Sequence, residues 1–258
     1  MVNISSLIIL LTYSVVVFNV RAKPPDTVWR VDTRSHEEIF NNGFYSSGVN
    51  NNLIEHLSGR SCHNTGNVRG SSAFISTTAD RRFAHEYAER ILRHRESRGE
   101  PNMVVNVYQI RATHNMYSAH QSLDFFLSQQ GHQTQPEVLR VMRFSSHLSE
   151  WMAFLRIGPN QISSVTQYYL HSGSIHSDAP LPNPRFRQTR SSASSQPYDT
   201  VYTVVPVLRI ARIWMMRAGI SPMIRACFGS DMERSEFKRD LTLNNIKGKG
   251  IFKFIILL

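Results

Sequence analysis

Residues 71–87 read SSAFISTTADRRFAHEY. AFISTT has the β-branched and aromatic content of a short strand, and it runs without a loop into ADRRFAHEYAERILRHRESRG. There Phe83, Tyr87, Ile91 and Leu92 recur at helical spacing, and Gly99 lies beyond the end. The strand therefore closes on three hydroxyls, Ser76, Thr77 and Thr78, before an aromatic-bearing helix. Taken alone, such a triplet does no more than cap the helix that follows it.

Working outward, TVWRVDTR (27–34) reads as a short strand with Arg30 in its middle. SHEEIFNNGF follows as a helical turn, with Ser35 three residues before Glu38 as a capping box and Asn-Gly as its stop. NNLIEHLSGR forms a second short helix ended by Gly59, and MVVNVYQIRA (103–112) is the clearest strand. Residues 120–143 carry helical patterns. WMAFLRI reads as one buried strand before the Gly158-Pro159 turn, and ISSVTQYYL as a further strand. Residues 171–196 are rich in Ser, Pro and Arg and read as exposed loop. Short strands interleaved with short helices give an α+β domain.

The chain has 258 residues, 41% of them hydrophobic, enough for one large domain or one domain with an appendage. Residues 1–22 contain an apolar stretch, Leu7 to Val20, too short to span a bilayer. It ends at Val20-Arg21-Ala22, which suits a signal-peptidase site, although no basic side chain precedes the stretch. The expectation is a secretory signal and a mature chain from Lys23. Export to an oxidising compartment would make the even cysteine count meaningful. Cys62 and Cys227 would form one disulfide closing a loop of about 165 residues, for roughly 5 kcal/mol in the chain-entropy picture; two buried free thiols are the alternative. No second cysteine stands near either one and the histidines are dispersed, so no metal site is expected. The net charge is +10, yet the arginines are scattered and no nucleic-acid-binding pattern accompanies them. A phosphate-rich small ligand or an acidic partner fits this balance better than DNA.

Glu150 stands at the edge of the apolar run Trp151-Met152-Ala153-Phe154-Leu155. By itself it reads as a solvated end residue, Arg30 as one half of a surface ion pair, and His56 as a structural histidine. Their order changes the reading. TVWRVDTR, NNGF, NNLIEHLSGRSC, SSAFISTTADRRFAHEY, YQIRATHNMYS, SEWMAFLRIGPNQI and SPMIRAC together resemble, in collinear order, the A subunit of pertussis toxin and the pertussis-like A subunits of enteric bacteria. The resemblance covers about Thr27 to Cys227, with both cysteines in register.

That resemblance implies an ADP-ribosyltransferase-type split β-sandwich with flanking short helices over 23–200. A C-terminal covering segment and a tail that contacts B subunits would occupy 201–258. It implies a secreted mono-ADP-ribosyltransferase toxin that uses NAD+ as substrate, with no metal. The enzyme would act in the host cytosol, crossing a membrane only transiently, on a Cys of an inhibitory G-protein α subunit, and would partner pentameric B subunits. Glu150 matches the catalytic carboxylate, which stabilises an oxocarbenium-like ribose. His56 matches the histidine proposed as general base on the acceptor. Arg30 matches the strand arginine that contacts the dinucleotide phosphate. Asp32 and Arg34 lie on the same cleft segment. Ser76, Thr77 and Thr78 match the hydroxyl scaffold, and Phe83 and Tyr87 the aromatics lining the nicotinamide pocket.

Two positions depart from the family. Leu148 stands where members carry Gln or Glu on an acceptor-selecting loop, and Ser47 where pertussis toxin has a Trp. Leu148 leaves open an Arg-directed transferase or an NAD+ glycohydrolase. A catalytically weak, partner-binding chain is the non-enzymatic alternative, and the basic, apolar-tipped tail IKGKGIFKFIILL motivates it.

Overall fold

The computed structural model describes residues 23–59, 61, 71–97, 99–100, 102–129 and 136–199. The expected leader, Cys62, Cys227 and the covering segment with its tail lie outside the described residues.

The first strand, β1 (Thr27–Asp32), leads to helix α1 (His36–Asn42) and the short β2 (Phe44–Tyr45). Helix α2 (Leu53–Leu57) precedes β3 (Phe74–Thr78), which runs into the long helix α3 (Arg81–Glu96). Then come β4 (Val104–Arg111), β5 (Met116–Ser118), α4 (Ala119–Ser128) and α5 (Pro136–His147). Strands β6 (Glu150–Phe154), β7 (Arg156–Ile157), β8 (Ile162–His171), β9 (Ser174–Ser177) and β10 (Leu181–Pro182) follow.

Local chemistry explains the helix ends. Ser35, Asn52, Asp80 and Ser118 each accept a backbone N–H of the first turn on the side chain, a contact typically worth about 1 kcal/mol. The helix after β3 is thus capped by Asp80, which frees the hydroxyl triplet for other work. Gly43 ends α1 at φ 77, where a Cβ would meet the Ile157 carbonyl at 2.2 Å; only glycine fits there.

The main sheet is antiparallel throughout, in the order β10-β8-β4-β1-β3-β6-β5, with β9 added to β8. Six residue pairs join β1 to β4, but a single pair, Trp29 with Thr78, joins β1 to β3. The sheet splits at that seam. Strands β2 and β7 form a second, two-stranded sheet.

Three apolar clusters cover the faces. Val28, Ile39, Phe40, Phe44, Tyr108, Trp151 and Ile157 fill the layer between the main sheet, α1 and the small sheet. Helix α3 packs Ala84, Tyr87, Ala88, Ile91 and Leu92 against Val31, Val105 and Val107. Leu53, Ile54 and Leu57 of α2 join Leu123, Val138 and Val141 over Phe74 and Met152. Each side chain fully buried in this way contributes roughly 1.5–3 kcal/mol, so both strands flanking the seam are held from behind.

Two expectations need correction. WMAFLRI is not one strand: Leu155 adopts φ 65 and breaks it, sending Arg156 and Ile157 into the small sheet. The Leu155 N–H goes to the Ala73 carbonyl and its own carbonyl accepts from Ser46, so the break is hydrogen-bonded on both sides. Residues 171–196 are not wholly exposed loop either. Ser172 and Gly173, at φ 52 and 74, make a two-residue turn that folds β9 back on β8. Beyond β10, Asn183 is buried and donates to the Pro159 and Ile162 carbonyls, and Ala193 enters the first cluster.

Candidate active site

Glu150 is the first residue of β6, and strand register sets it opposite Thr78, the last of β3. The two neighbouring hydroxyls lock that register. Thr77 donates to the Trp151 carbonyl at 2.7 Å and Thr78 to the Leu148 carbonyl at 2.6 Å, so they hold the backbone on both sides of Glu150. Thr78 also accepts the Asp80 N–H, which fixes the start of the turn into α3. Ser149, just before the carboxylate, sits at φ 44, and its carbonyl accepts the Ala79 N–H. The place of this residue at the strand edge is thus set by backbone pairing.

Ser76 has the central place. Its hydroxyl meets His56 Nε2 at 2.9 Å, and the same nitrogen lies 3.9 Å from Glu150 Oε1. Its carbonyl accepts from Arg30 Nη1 at 2.8 Å. At the seam, where the β1–β3 ladder has opened, the guanidinium spans the gap. Arg30 is buried, its Nε lies 3.6 Å from Asp32, and its charge sits 5.2 Å from the centre of the Phe44 ring. Burial lowers its pKa to about 10, with Asp32 working the other way, so it stays cationic at neutral pH.

Asp32 is fully buried and holds Arg34 through Nε at 3.0 Å and Nη2 at 2.9 Å. The Arg34 carbonyl is fixed in turn by Asn106 and by Tyr108. These bonds make a rigid Arg-Asp-Arg corner at the end of β1. Its two cations flank one carboxylate, and Phe44 lies beneath both.

His56, in α2, has no exposed surface. Its Nδ1 meets Ser72 Oγ at 2.8 Å, opposite the Nε2 contact to Ser76. Burial, with the Arg30 charge adding to it, pushes its pKa down to about 3. The imidazole is neutral, and its 3.9 Å approach to Glu150 Oε1 is not an ion pair. Glu150 is itself buried. Desolvation pushes its carboxyl up to about 7, against a hydrogen bond from Ser76 that favours the anion. The site therefore holds one carboxylate poised to ionise near neutrality.

Phe83 and Tyr87, one turn apart on α3, stack with centroids 5.9 Å apart and planes 8° from parallel. The Tyr87 phenol bears on the charge of Arg30. Leu148 is buried in the same apolar cluster, with Phe83 packed against it, so no polar group stands two residues before Glu150. Ser47 donates to the Ser72 carbonyl at 3.3 Å.

All the expected site residues except the two cysteines fall within the described residues, and contacts run from Arg34 through Asp32, Arg30, Ser76 and His56 to Glu150. Ser72 and Phe44 belong to the constellation and were missed. Ser72 stood in a Gly/Asn/Ser loop with no pattern to distinguish it; Phe44 was visible only as the end of NNGF. A cavity of about 690 Å³ opens by His36, Glu37, Glu100, Asn106 and Gln167, away from Glu150. Among the described residues no cluster of His, Cys, Asp and Glu has the makings of a metal site.

The sequence pattern of the family described as pertussis toxin, subunit 1 matches residues 23–237. A pertussis toxin subunit 1 homolog of Bordetella parapertussis is 32% identical over 219 residues, covering 80% of this chain and 79% of that one. Pertussis toxin subunit 1 of Bordetella pertussis is 31% identical over 220 residues, covering 83% and 77%. Among solved structures, EcPltA is 27% identical with TM-score 0.54 and covers 70% of this chain and 97% of that one. The nicked CARDS toxin, 21% identical with TM-score 0.52, covers 70% and 34% and shares the fold. With the split α+β sheet in place and sequence similarity running the length of the described residues, the chain belongs to the pertussis toxin subunit 1 family and is, as its sequence implied, a mono-ADP-ribosyltransferase toxin subunit.

Proposed function

We propose that this chain transfers ADP-ribose from NAD+ to a host protein as the A subunit of a secreted toxin, with Glu150 as the reacting carboxylate. The observation that carries the reading is Glu150 itself, a buried carboxyl held at a strand edge opposite Thr78, 3.9 Å from His56 and raised by burial to about 7. An anion in so dry a place is costly alone and favourable beside a cation. Loss of nicotinamide leaves positive charge on the ribose, so Glu150 interacts more strongly with the transition state than with neutral surroundings. One well-placed group of this kind is worth about 3–4 kcal/mol of barrier.

In this reading Arg30, with Asp32 and Arg34 behind it, meets the dinucleotide phosphates. Thr77 and Thr78 hold the strand edge, and the Phe83–Tyr87 stack offers a flat wall to the nicotinamide. The acceptor is a Cys of an inhibitory G-protein α subunit, and B subunits deliver the chain from outside the producing cell to the host cytosol. Mass spectrometry of host lysate, incubated with NAD+ and reduced protein, is the test. Wild type labels one class of protein and Glu150→Gln labels none; equal labelling by both removes Glu150 from the chemistry.

A second reading has one observation in its favour. Leu148, where the family carries Gln or Glu, is buried and apolar. It offers nothing to orient a nucleophile, which favours water over protein as acceptor. Nicotinamide release without protein labelling would select the NAD+ glycohydrolase.

A further inference from the structure

Ser72, a residue given no part in the reaction so far, closes a line of hydrogen bonds that ends on Glu150. Its Oγ accepts the Phe74 N–H at 3.0 Å, lies 2.8 Å from His56 Nδ1, and has the Phe74 carbonyl as a more distant acceptor at 3.5 Å. Across the ring, Nε2 meets Ser76 Oγ at 2.9 Å and lies 3.9 Å from Glu150 Oε1, so hydroxyl, imidazole and carboxyl share one buried corner. A neutral imidazole has one N–H and one bare nitrogen, so it reads in one direction at a time.

We propose that Ser72, His56 and Ser76 form a directional chain whose polarity reverses with the protonation of Glu150, and that Ser72 is a positioning residue for that carboxylate. The proposal rests on Glu150 being the reacting group. With Glu150 ionised, Ser72 donates to Nδ1, Nε2–H donates to Ser76, and the Ser76 hydroxyl points at the carboxylate. With Glu150 protonated, the carboxyl donates to Ser76, Ser76 donates to Nε2, Nδ1–H donates to Ser72, and Ser72 turns to the Phe74 carbonyl. Every donor has an acceptor in both states. The balance is one proton, released from Glu150 to solvent or regained from it. The imidazole keeps a single proton throughout and changes only the nitrogen that carries it.

This geometry also redirects the role expected for His56. A fully enclosed ring with a serine at each nitrogen presents no free edge to an incoming nucleophile; it passes the polarity of Ser72 to Ser76 instead. The charged and titratable groups facing the chain come from three elements. They are Glu150 on β6, Arg30 on β1 with Asp32 and Arg34 behind it, and Tyr87 on α3 beside Arg30. Burial, with the Arg30 charge adding to it, holds the imidazole neutral, so the titration falls on Glu150.

The test uses the full mature chain with ¹⁵N-labelled histidine, the His56 signals being assigned by their loss in His56→Gln. The expected result is the Nδ1–H tautomer on the acid side, the Nε2–H tautomer on the alkaline side, and a midpoint shared with the Glu150 carboxyl resonance. One tautomer throughout overturns the proposal. A second arm follows NAD+ hydrolysis against pH in Ser72→Ala and Ser72→Thr. Ser72→Ala takes a donor from Nδ1 in the ionised state and an acceptor from Nδ1–H in the protonated one, so the acidic midpoint moves by the difference between the two losses, and Thr restores it. A uniform fall in rate with an unmoved midpoint also overturns it. Should Glu150→Gln keep full turnover, Glu150 is not the reacting group, and the tautomer measurement still stands or falls by itself.

Discussion

Glu150→Gln is expected to abolish turnover and, at the same time, to make the protein harder to unfold. The carboxyl rises from 4.5 to about 7 on folding. Because the folded state holds its proton more tightly, the contribution of Glu150 to stability is fully present below about pH 4.5. It is lost as pH rises to about 7, and the charge then remains as a standing penalty of about 3 kcal/mol. Glutamine keeps the shape but never ionises. Going from about pH 5 to about pH 8, the variant should therefore gain roughly 2 to 3 kcal/mol on wild type. For a domain of this size that corresponds to roughly 5–10 °C in Tm.

His56 works in the opposite sense. Its pKa falls from 6.5 to about 3, so stability is present above about pH 6.5 and declines as pH drops toward 3. In wild type the two slopes oppose each other between about pH 4.5 and 6.5, which flattens the profile; the difference between variant and wild type isolates Glu150. Differential scanning calorimetry of both proteins at the two pH values reads it directly. A Tm difference that does not change with pH would refute the reasoning, because it would mean that Glu150 titrates in the folded protein as it does in water.

Arg30→Ala leaves Asp32 buried with one cation fewer and strips the Ser76 carbonyl of its donor; urea unfolding should show a loss of roughly 3–5 kcal/mol. Arg30→Lys, which keeps the charge but not the fork, should lose less stability while still raising KM for NAD+ in a hydrolysis assay. Leu148→Glu adds a third buried carboxyl to Asp32 and Glu150, in the apolar cluster of Phe83 and Tyr87, so the unfolding midpoint should fall on raising the pH, by a cost of about 2 kcal/mol or more. No change would place that side chain outside the apolar cluster.

The clearest strands and the long helix were legible because their information is local. Thr27, Val28, Val31 and Thr33 have the side chains of a strand, Ser35 and Gly43 bracket α1, and Phe83, Tyr87 and Ile91 repeat at helical spacing. Leu155 was not legible as a break. Its positive φ is set by partners from Ala73 and Ser46, far away in sequence. Polar Ser174–Ser177 became a strand because the edge of β8 had backbone groups to pair, although the Ser-Gly pair at its turn was a signal that could have been used.

The same division runs through the site. Residue type alone left Glu150, His56, Arg30 and the hydroxyl triplet with ordinary structural readings, and it was their collinear resemblance to the family that singled them out. The resemblance already made the triplet a scaffold, but it could not say that Thr77 and Thr78 hold the Trp151 and Leu148 carbonyls, that His56 is sealed between two serines, or that Glu150 titrates near neutrality. Those properties arise from the desolvation and cross-strand pairing of residues dozens of positions apart, and only the folded chain brings them within hydrogen-bonding distance.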